Sequence, residues 1–163
     1  MRIRLDDENC SVARALGVLS DGWTMLLIRE AFVGTRRFAD FEDNLGISKN
    51  VLTQRLEHLV ASGVFERIDA GTHGTRYEYA LTAMGKDLIM VMTALRQWGD
   101  RWIFGPGNEP LLIHDRRTGR PIPQQVLRDE NGEPVRTRDL EMVVGPGASK
   151  HTRARIEGAA TRR

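Results

Sequence analysis

Residues 34–85, GTRRFADFEDNLGISKNVLTQRLEHLVASGVFERIDAGTHGTRYEYALTAMG, decide the fold. Arg36 to Asn44 predicts a helix with Phe38, Phe41 and Leu45 on one face. Leu45-Gly46-Ile47-Ser48 is a turn, and Ser48 is a good N-cap for the helix that follows. That helix runs to about Ser62, with Leu52, Leu56, Leu59 and Val60 facing a core. Its opposite side carries Asn50, Gln54, Glu57 and Ala61, with Lys49, Thr53 and Arg55 flanking the first half. Gly63 ends it. Val64 to Asp69 and Tyr77 to Leu81 read as strands joined by the loop Gly71-Thr72-His73-Gly74-Thr75-Arg76.

Two helices across a turn, then a Gly-tipped hairpin, is the element order of a winged helix-turn-helix. The expected fold is therefore mostly α with a small β-hairpin wing. Upstream, Val12, Ala13, Leu16 and Leu19 recur at helical spacing, with Asn9 or Ser11 available as cap. Asp21-Gly22 breaks that helix, and Trp23 to Val33 forms an apolar second one closed by Gly34. Downstream, Thr82 starts a long helix to about Trp102. Its residues Met84, Leu88, Val91, Leu95, Trp98 and Trp102 follow the alternating spacing of four and three that marks a coiled-coil seam. A dimer interface through Leu88, Val91, Leu95, Trp98 and Trp102 is expected, although a monomeric core helix would show the same stripe.

Residues on the first turns of a recognition helix reach base edges. Ser48, Lys49, Asn50, Thr53, Gln54 and Arg55 occupy those turns. Asn and Gln can pair twice with adenine, Arg and Lys with guanine, and Thr can touch the thymine methyl. Arg36 and Arg37 could clamp phosphate, and His73 and Arg76 in the wing could contact minor groove or backbone. Arg37 could equally pair with Asp40 or Glu42. The expected partner is duplex DNA, as a palindromic operator bound by a homodimer whose half-sites lie about 34–36 Å apart.

Charge constrains how such a domain could bind. The chain is formally +2, but residues 1–104 hold 13 Lys/Arg against 14 Asp/Glu, and residues 105–163 hold 11 against 8. The candidate DNA-binding domain has no net positive field, so attraction to phosphate must come from local placement of cations. The same near-neutrality favours a competing reading, a winged-helix module that binds protein. No nucleophile–base pair, phosphate loop or metal spacing is visible, so no enzyme, cofactor or metal site is expected. One cysteine excludes an intrachain disulfide. No apolar run approaches the roughly 20 residues that span a bilayer. The opening MRIRLDDENCSV lacks the apolar core of a secretory signal, so a cytoplasmic location without membrane partners is expected.

Composition shifts at Phe104-Gly105-Pro106-Gly107, and all six prolines lie beyond it. Three units follow: a winged helix at 1–104, a small β-rich appendage at 105–147, and a basic, mobile tail at 148–163. Leu111 to His114, Val126-Leu127 before an Asn131-Gly132 turn, and Leu140 to Val144 are the candidate strands.

Cys10 through Trp102 resembles the HxlR-type branch of the MarR-like winged-helix regulators. The matching phrases include Cys10 before the first helix, Asp21-Gly22-Trp23-Thr24, Arg37-Phe38, Leu45-Gly46-Ile47-Ser48, Leu52-Thr53-Gln54-Arg55-Leu56, Tyr79 with Leu81-Thr82, Gly85 and Trp98-Gly99. The resemblance implies a homodimeric transcription factor, with dimer contacts from its first and last helices. Several similar regulators sense oxidants or electrophiles through a cysteine at the place of Cys10. A helix N-terminus favours the thiolate, whereas Asp6, Asp7 and Glu8 oppose it. The expected effector is an oxidant or electrophile sensed through Cys10, or a small molecule with no thiol switch, and the alternative for Cys10 is a small buried apolar residue. Some relatives also carry cysteine-bearing turns after the winged helix. Thr118-Gly119 and the turn ending at Gly132 look like those turns without their cysteines.

Overall fold

The computed structural model describes residues 9–19, 21–71 and 77–160. They form α1 (Ser11–Leu19), α2 (Gly22–Val33), α3 (Phe38–Leu45), α4 (Lys49–Ala61), β1 (Phe65–Asp69), β2 (Tyr77–Leu81), α5 (Ala83–Asp87), α6 (Ile89–Gly99) and α7 (Lys150–Ala160). A π-helical turn, Asp100–Phe104, extends α6, and a 3-10 turn spans Thr137–Asp139. The chain is mostly helical with one two-stranded antiparallel hairpin. It divides into two compact units, one running to Leu88 and taking in the segment from Val143, the other Ile89–Met142.

The first unit is built on the elements legible in residues 34–85. Leu27, Ile28, Phe41, Leu52, Leu56, Leu59, Val64 and Phe65 are buried completely or nearly so. Each large side chain removed from water in this way contributes about 1.5–3 kcal/mol. The helix ends are set locally. Asp21 caps α2 through Oδ1, which accepts from Thr24 N at 2.9 Å. Gly34 closes α2 at φ 113°, a left-handed position that glycine adopts without Cβ strain. In the hairpin, Phe65 pairs with Leu81, Arg67 with Tyr79 and Asp69 with Tyr77.

The long helix expected from Thr82 to Trp102 is interrupted. Thr82 starts it as anticipated, its hydroxyl accepting from Gly85 N at 3.1 Å and donating to Gly63 O at 2.6 Å. Gly85 is buried against the end of the wing, where a Cβ would sit 2.2 Å from the Val64 carbonyl oxygen. Leu88 N then turns back to Gly85 O, and a new helix begins at Ile89. Periodicity could not register this break, because the apolar spacing runs through it without change.

The β-rich appendage is a correction. Among the described residues of 105–147 no strand forms, only the isolated bridges His114↔Pro121 and Arg128↔Pro134. Turns at Asp115–Arg120 and Asp129–Glu133 fall where the Thr118-Gly119 and Asn131-Gly132 signals placed them, with Gly119 at φ 68° and Gly132 at φ 82°. Each bridge is a non-hydrogen-bonded pair closed by two flanking bonds, Asp115 N to Arg120 O with Ile122 N to Ile113 O, and Asp129 N to Glu133 O with Val135 N to Leu127 O, and no further rung extends either turn into a strand. Within this second unit, Gln97 of α6 donates to Pro123 O and accepts from Gln125 N, at 3.1 and 2.8 Å. The end of the chain, expected as a mobile tail, contains α7.

Candidate nucleic-acid interface

On α4, Asn50, Thr53, Gln54 and Glu57 are exposed at positions i, i+3, i+4 and i+7, opposite the buried leucines. Lys49 stands beside them, also exposed. Ser48 holds the N-cap backbone conformation, φ −68° and ψ 146°, and its carbonyl accepts from Leu52 N at 2.9 Å. Its hydroxyl makes no capping bond, so the expected side-chain cap is absent. One polar face therefore opens from the helix N-terminus, the end whose free N–H groups attract phosphate.

Arg55 lies apart from that face. Its Nε is buried and sits 2.6 Å from Asp21 Oδ2, a close ion-pair contact between α4 and the cap of α2. The other side of α4 is tied by His58, whose Nε2 is 2.9 Å from Val18 O in α1. Arg36 is exposed, and its carbonyl accepts from Tyr79 N at 2.8 Å, so the residues before α3 dock on the wing strand. Arg37 pairs with neither Asp40 nor Glu42. Its Nε is 3.5 Å from Glu78 Oε1 on β2, with the side chain 74% exposed. His73 and Arg76 fall outside the described residues.

Three contributors were not legible as site residues. Arg67 on β1 holds its guanidinium 4.1 Å from the centre of the Tyr77 ring, which adds an oriented cation to the wing. Strand alternation could have singled it out. Burial pushes the neighbouring Tyr79 hydroxyl pKa upward, against the opposing pull of Arg67. Glu30, buried near the end of α2, accepts from Arg29 Nη2 at 2.7 Å, Thr35 Oγ1 at 3.1 Å and Asn44 Nδ2 at 3.0 Å. Burial acts to raise its pKa, but the three donors and the Arg29 charge outweigh it, and the result lies below the ordinary carboxylate value. This carboxylate fastens α2 to α3, the frame on which α4 stands. Asp21 does the same for α2 and α4. Three of the acidic groups in this unit, Asp21, Glu30 and Glu78, are thus spent on ion pairs.

Of the expected dimer residues, Val91, Leu95 and Trp98 share one face of α6 and are 47%, 51% and 57% exposed. Trp102 is exposed in the π-helical turn, whereas Leu88 is half-buried in the break between α5 and α6. On α1, Val12 and Leu16 are exposed as well. Cys10 is half-buried and carries a free thiol, and its carbonyl accepts the first α1 bond, from Arg14 N at 3.0 Å. No single helix among the described residues is long and apolar enough to cross a membrane.

A core shared by α2, α3 and α4, with α4 displaying one polar face and an antiparallel hairpin following it, defines a winged helix-turn-helix. The model of the HxlR-like helix-turn-helix family matches residues 18–105, and the chain belongs to that family of transcription regulators, not of enzymes. An uncharacterised HTH-type transcriptional regulator of Mycobacterium tuberculosis is 36% identical over 140 residues, covering 86% of this chain and 89% of the relative. Among solved structures, PA1607, described as a candidate transcription factor, aligns with a TM-score of 0.78 at 37% identity, over 85% of this chain and 96% of that one. The redox regulator HypR in its reduced form aligns with a TM-score of 0.52 at 27% identity, over 55% of this chain and 90% of that one. The protein is accordingly a transcriptional regulator with a DNA-binding helix-turn-helix domain.

Proposed function

We propose that the protein is a homodimeric repressor that reads a palindromic operator through α4, with Lys49, Asn50, Thr53 and Gln54 at the bases and Ser48, Arg36, Arg37 and the wing at phosphate. The observation that carries this reading is the division of α4. Leu52, Leu56 and Leu59 are wholly buried, while the polar set is exposed from the first turn onward. His73 and Arg76 join Arg67 as the wing's candidate contacts. Arg55 acts as a positioning residue that sets the seat of α4 against Asp21. The homodimer is supported by the exposed apolar face of α6, because contiguous apolar surface of this kind marks an interaction site. A dimer occupying promoter DNA represses by exclusion alone and requires no further surface.

Selection from a random DNA pool tests the reading. Enrichment of a palindrome with two half-sites is the expected result, with affinity falling by a log–log salt slope of about −0.9 per phosphate contacted. No enrichment would favour the protein-binding module instead, for which the near-neutral charge of residues 1–104 argues. Thiol control through Cys10 is supported by its place at the start of α1 and by the likeness to HypR. In Cys10→Ser, operator affinity should no longer respond to diamide. An unaltered response would leave a small-molecule effector with no thiol switch.

A further inference from the structure

Asn9 was, with Ser11, one of two candidate caps for α1, and its side chain is used elsewhere. Its Nδ2 donates to Gly147 O at 3.1 Å, and its Oδ1 accepts from Ser149 N at 2.8 Å. The Asn9 carbonyl accepts from Thr152 Oγ1 at 3.3 Å. One residue thus holds the backbone and first turn of a segment about 140 positions away in sequence. That segment is shaped to be held. A turn closes from Ala148 N to Gly145 O, and Ser149 caps α7 by accepting from Thr152 N at 3.1 Å. Between this segment and the start of α1 lies a cleft of about 510 Å³, lined by Cys10, Arg14, Gly145, Ala148 and Thr152 among others.

We propose that residues 143–160 form a strap, latched by Asn9 across the start of α1, which governs access to the Cys10 thiol. The latch consists of hydrogen bonds among exposed residues, so it is strong enough to order the segment and weak enough to open. The two events are linked. If an open strap exposes Cys10, a bulky adduct on Cys10 disfavours the closed strap by the same factor. This deepens the thiol-control reading by giving it a moving part, but the latch does not require Cys10 to be a sensor.

The full-length chain is treated with N-ethylmaleimide, the thiol adding across the double bond of the reagent, and the adduct is followed by intact mass. Asn9→Ala should raise the Cys10 labelling rate roughly fivefold or more, and Thr152→Val about twofold, in line with the loss of two and one modest hydrogen bonds. Hydrogen exchange supplies the converse arm, in which alkylation of the parent protein should speed exchange across α7. Thr152→Val leaves α1 intact and so separates strap opening from fraying of α1. Unchanged labelling in both variants would overturn the strap. So would faster labelling in Asn9→Ala alone with α7 exchange unaltered. A confirmed strap with operator affinity indifferent to oxidation would remove the sensor reading and leave the latch standing.

Discussion

Breaking the contact between Asp21 and Arg55 separates positioning from direct reading on α4. Asp21 does two things: Oδ1 caps α2 through Thr24 N at 2.9 Å, and Oδ2 lies 2.6 Å from Arg55 Nε. Loss of an N-cap costs about 1 kcal/mol. The ion pair is about one-third exposed on both sides, so solvent screening limits it to roughly 0.5–1 kcal/mol. Asp21→Ala should therefore destabilise by about 2 kcal/mol, and Arg55→Ala by about 1 kcal/mol, with a coupling of roughly 0.5–1 kcal/mol in the double mutant. Melting temperature should fall by about 4–8 °C in Asp21→Ala, since 1 kcal/mol is worth roughly 2–4 °C for a chain of this size. Chemical denaturation of the four proteins of the cycle gives these values. Operator affinity in the same set decides the role of Arg55. If it positions α4, both single variants weaken binding alike, and the double mutant is no worse than Asp21→Ala. A guanine contact by Arg55 would instead cost about 1–3 kcal/mol of discrimination at one base pair. Arg55→Ala with relaxed specificity at one position, beside an Asp21→Ala protein of undiminished affinity, would refute the positioning role.

Gly85→Ala should destabilise by about 1–3 kcal/mol, because its Cβ would meet the Val64 carbonyl oxygen at 2.2 Å and the wing or α5 must shift; thermal melts read the loss. Glu30 has a pKa lowered from its ordinary value of 4.5, so its contribution is complete above that pH and lost as pH falls through the lower folded value. Stability of the parent protein should drop across that acid window, and Glu30→Gln should show a shallower decline there together with lower stability at pH 7. Asn50→Ala and Gln54→Ala should each cost about 1–3 kcal/mol of operator binding, confined to single base positions, with folding stability unchanged within about 0.5 kcal/mol. Lys49→Ala should cost about 1–3 kcal/mol of discrimination at one base pair, and a uniform loss across all sequences with a salt slope shallower by about 0.9 would move Lys49 to the phosphates.

Much of the first unit was legible because its signals are local. Gly34 and Thr82 act at the helix ends where they were expected, and the leucines of α4 are buried on the face their spacing gives them. Both strands fall within a residue of the expected limits. The misjudged parts depend on partners distant in sequence. Arg37 had acidic neighbours at Asp40 and Glu42, yet it meets Glu78 because the segment before α3 docks on β2. Asn9 had a helix to cap, yet the arrival of α7 offered better-placed backbone groups. The appendage carried turn signals that proved sound and strand signals that did not, each turn closing one isolated bridge and going no further.

The sequence alone determined the order of elements from α1 to the hairpin, the family and the polar face of α4, because periodicity, caps and turn glycines act within a few residues of one another. Only the tertiary structure decided which charges remain available on that face. Asp21 takes Arg55, Glu78 approaches Arg37 and Glu30 gathers Arg29, Thr35 and Asn44. These pairings depend on which helices and strands pack together, and packing is set by burial of the whole core. A domain with 13 basic and 14 acidic residues in its first 104 therefore presents its cations selectively. Residue counts record how many charges a chain carries, whereas the fold determines which of them face a partner.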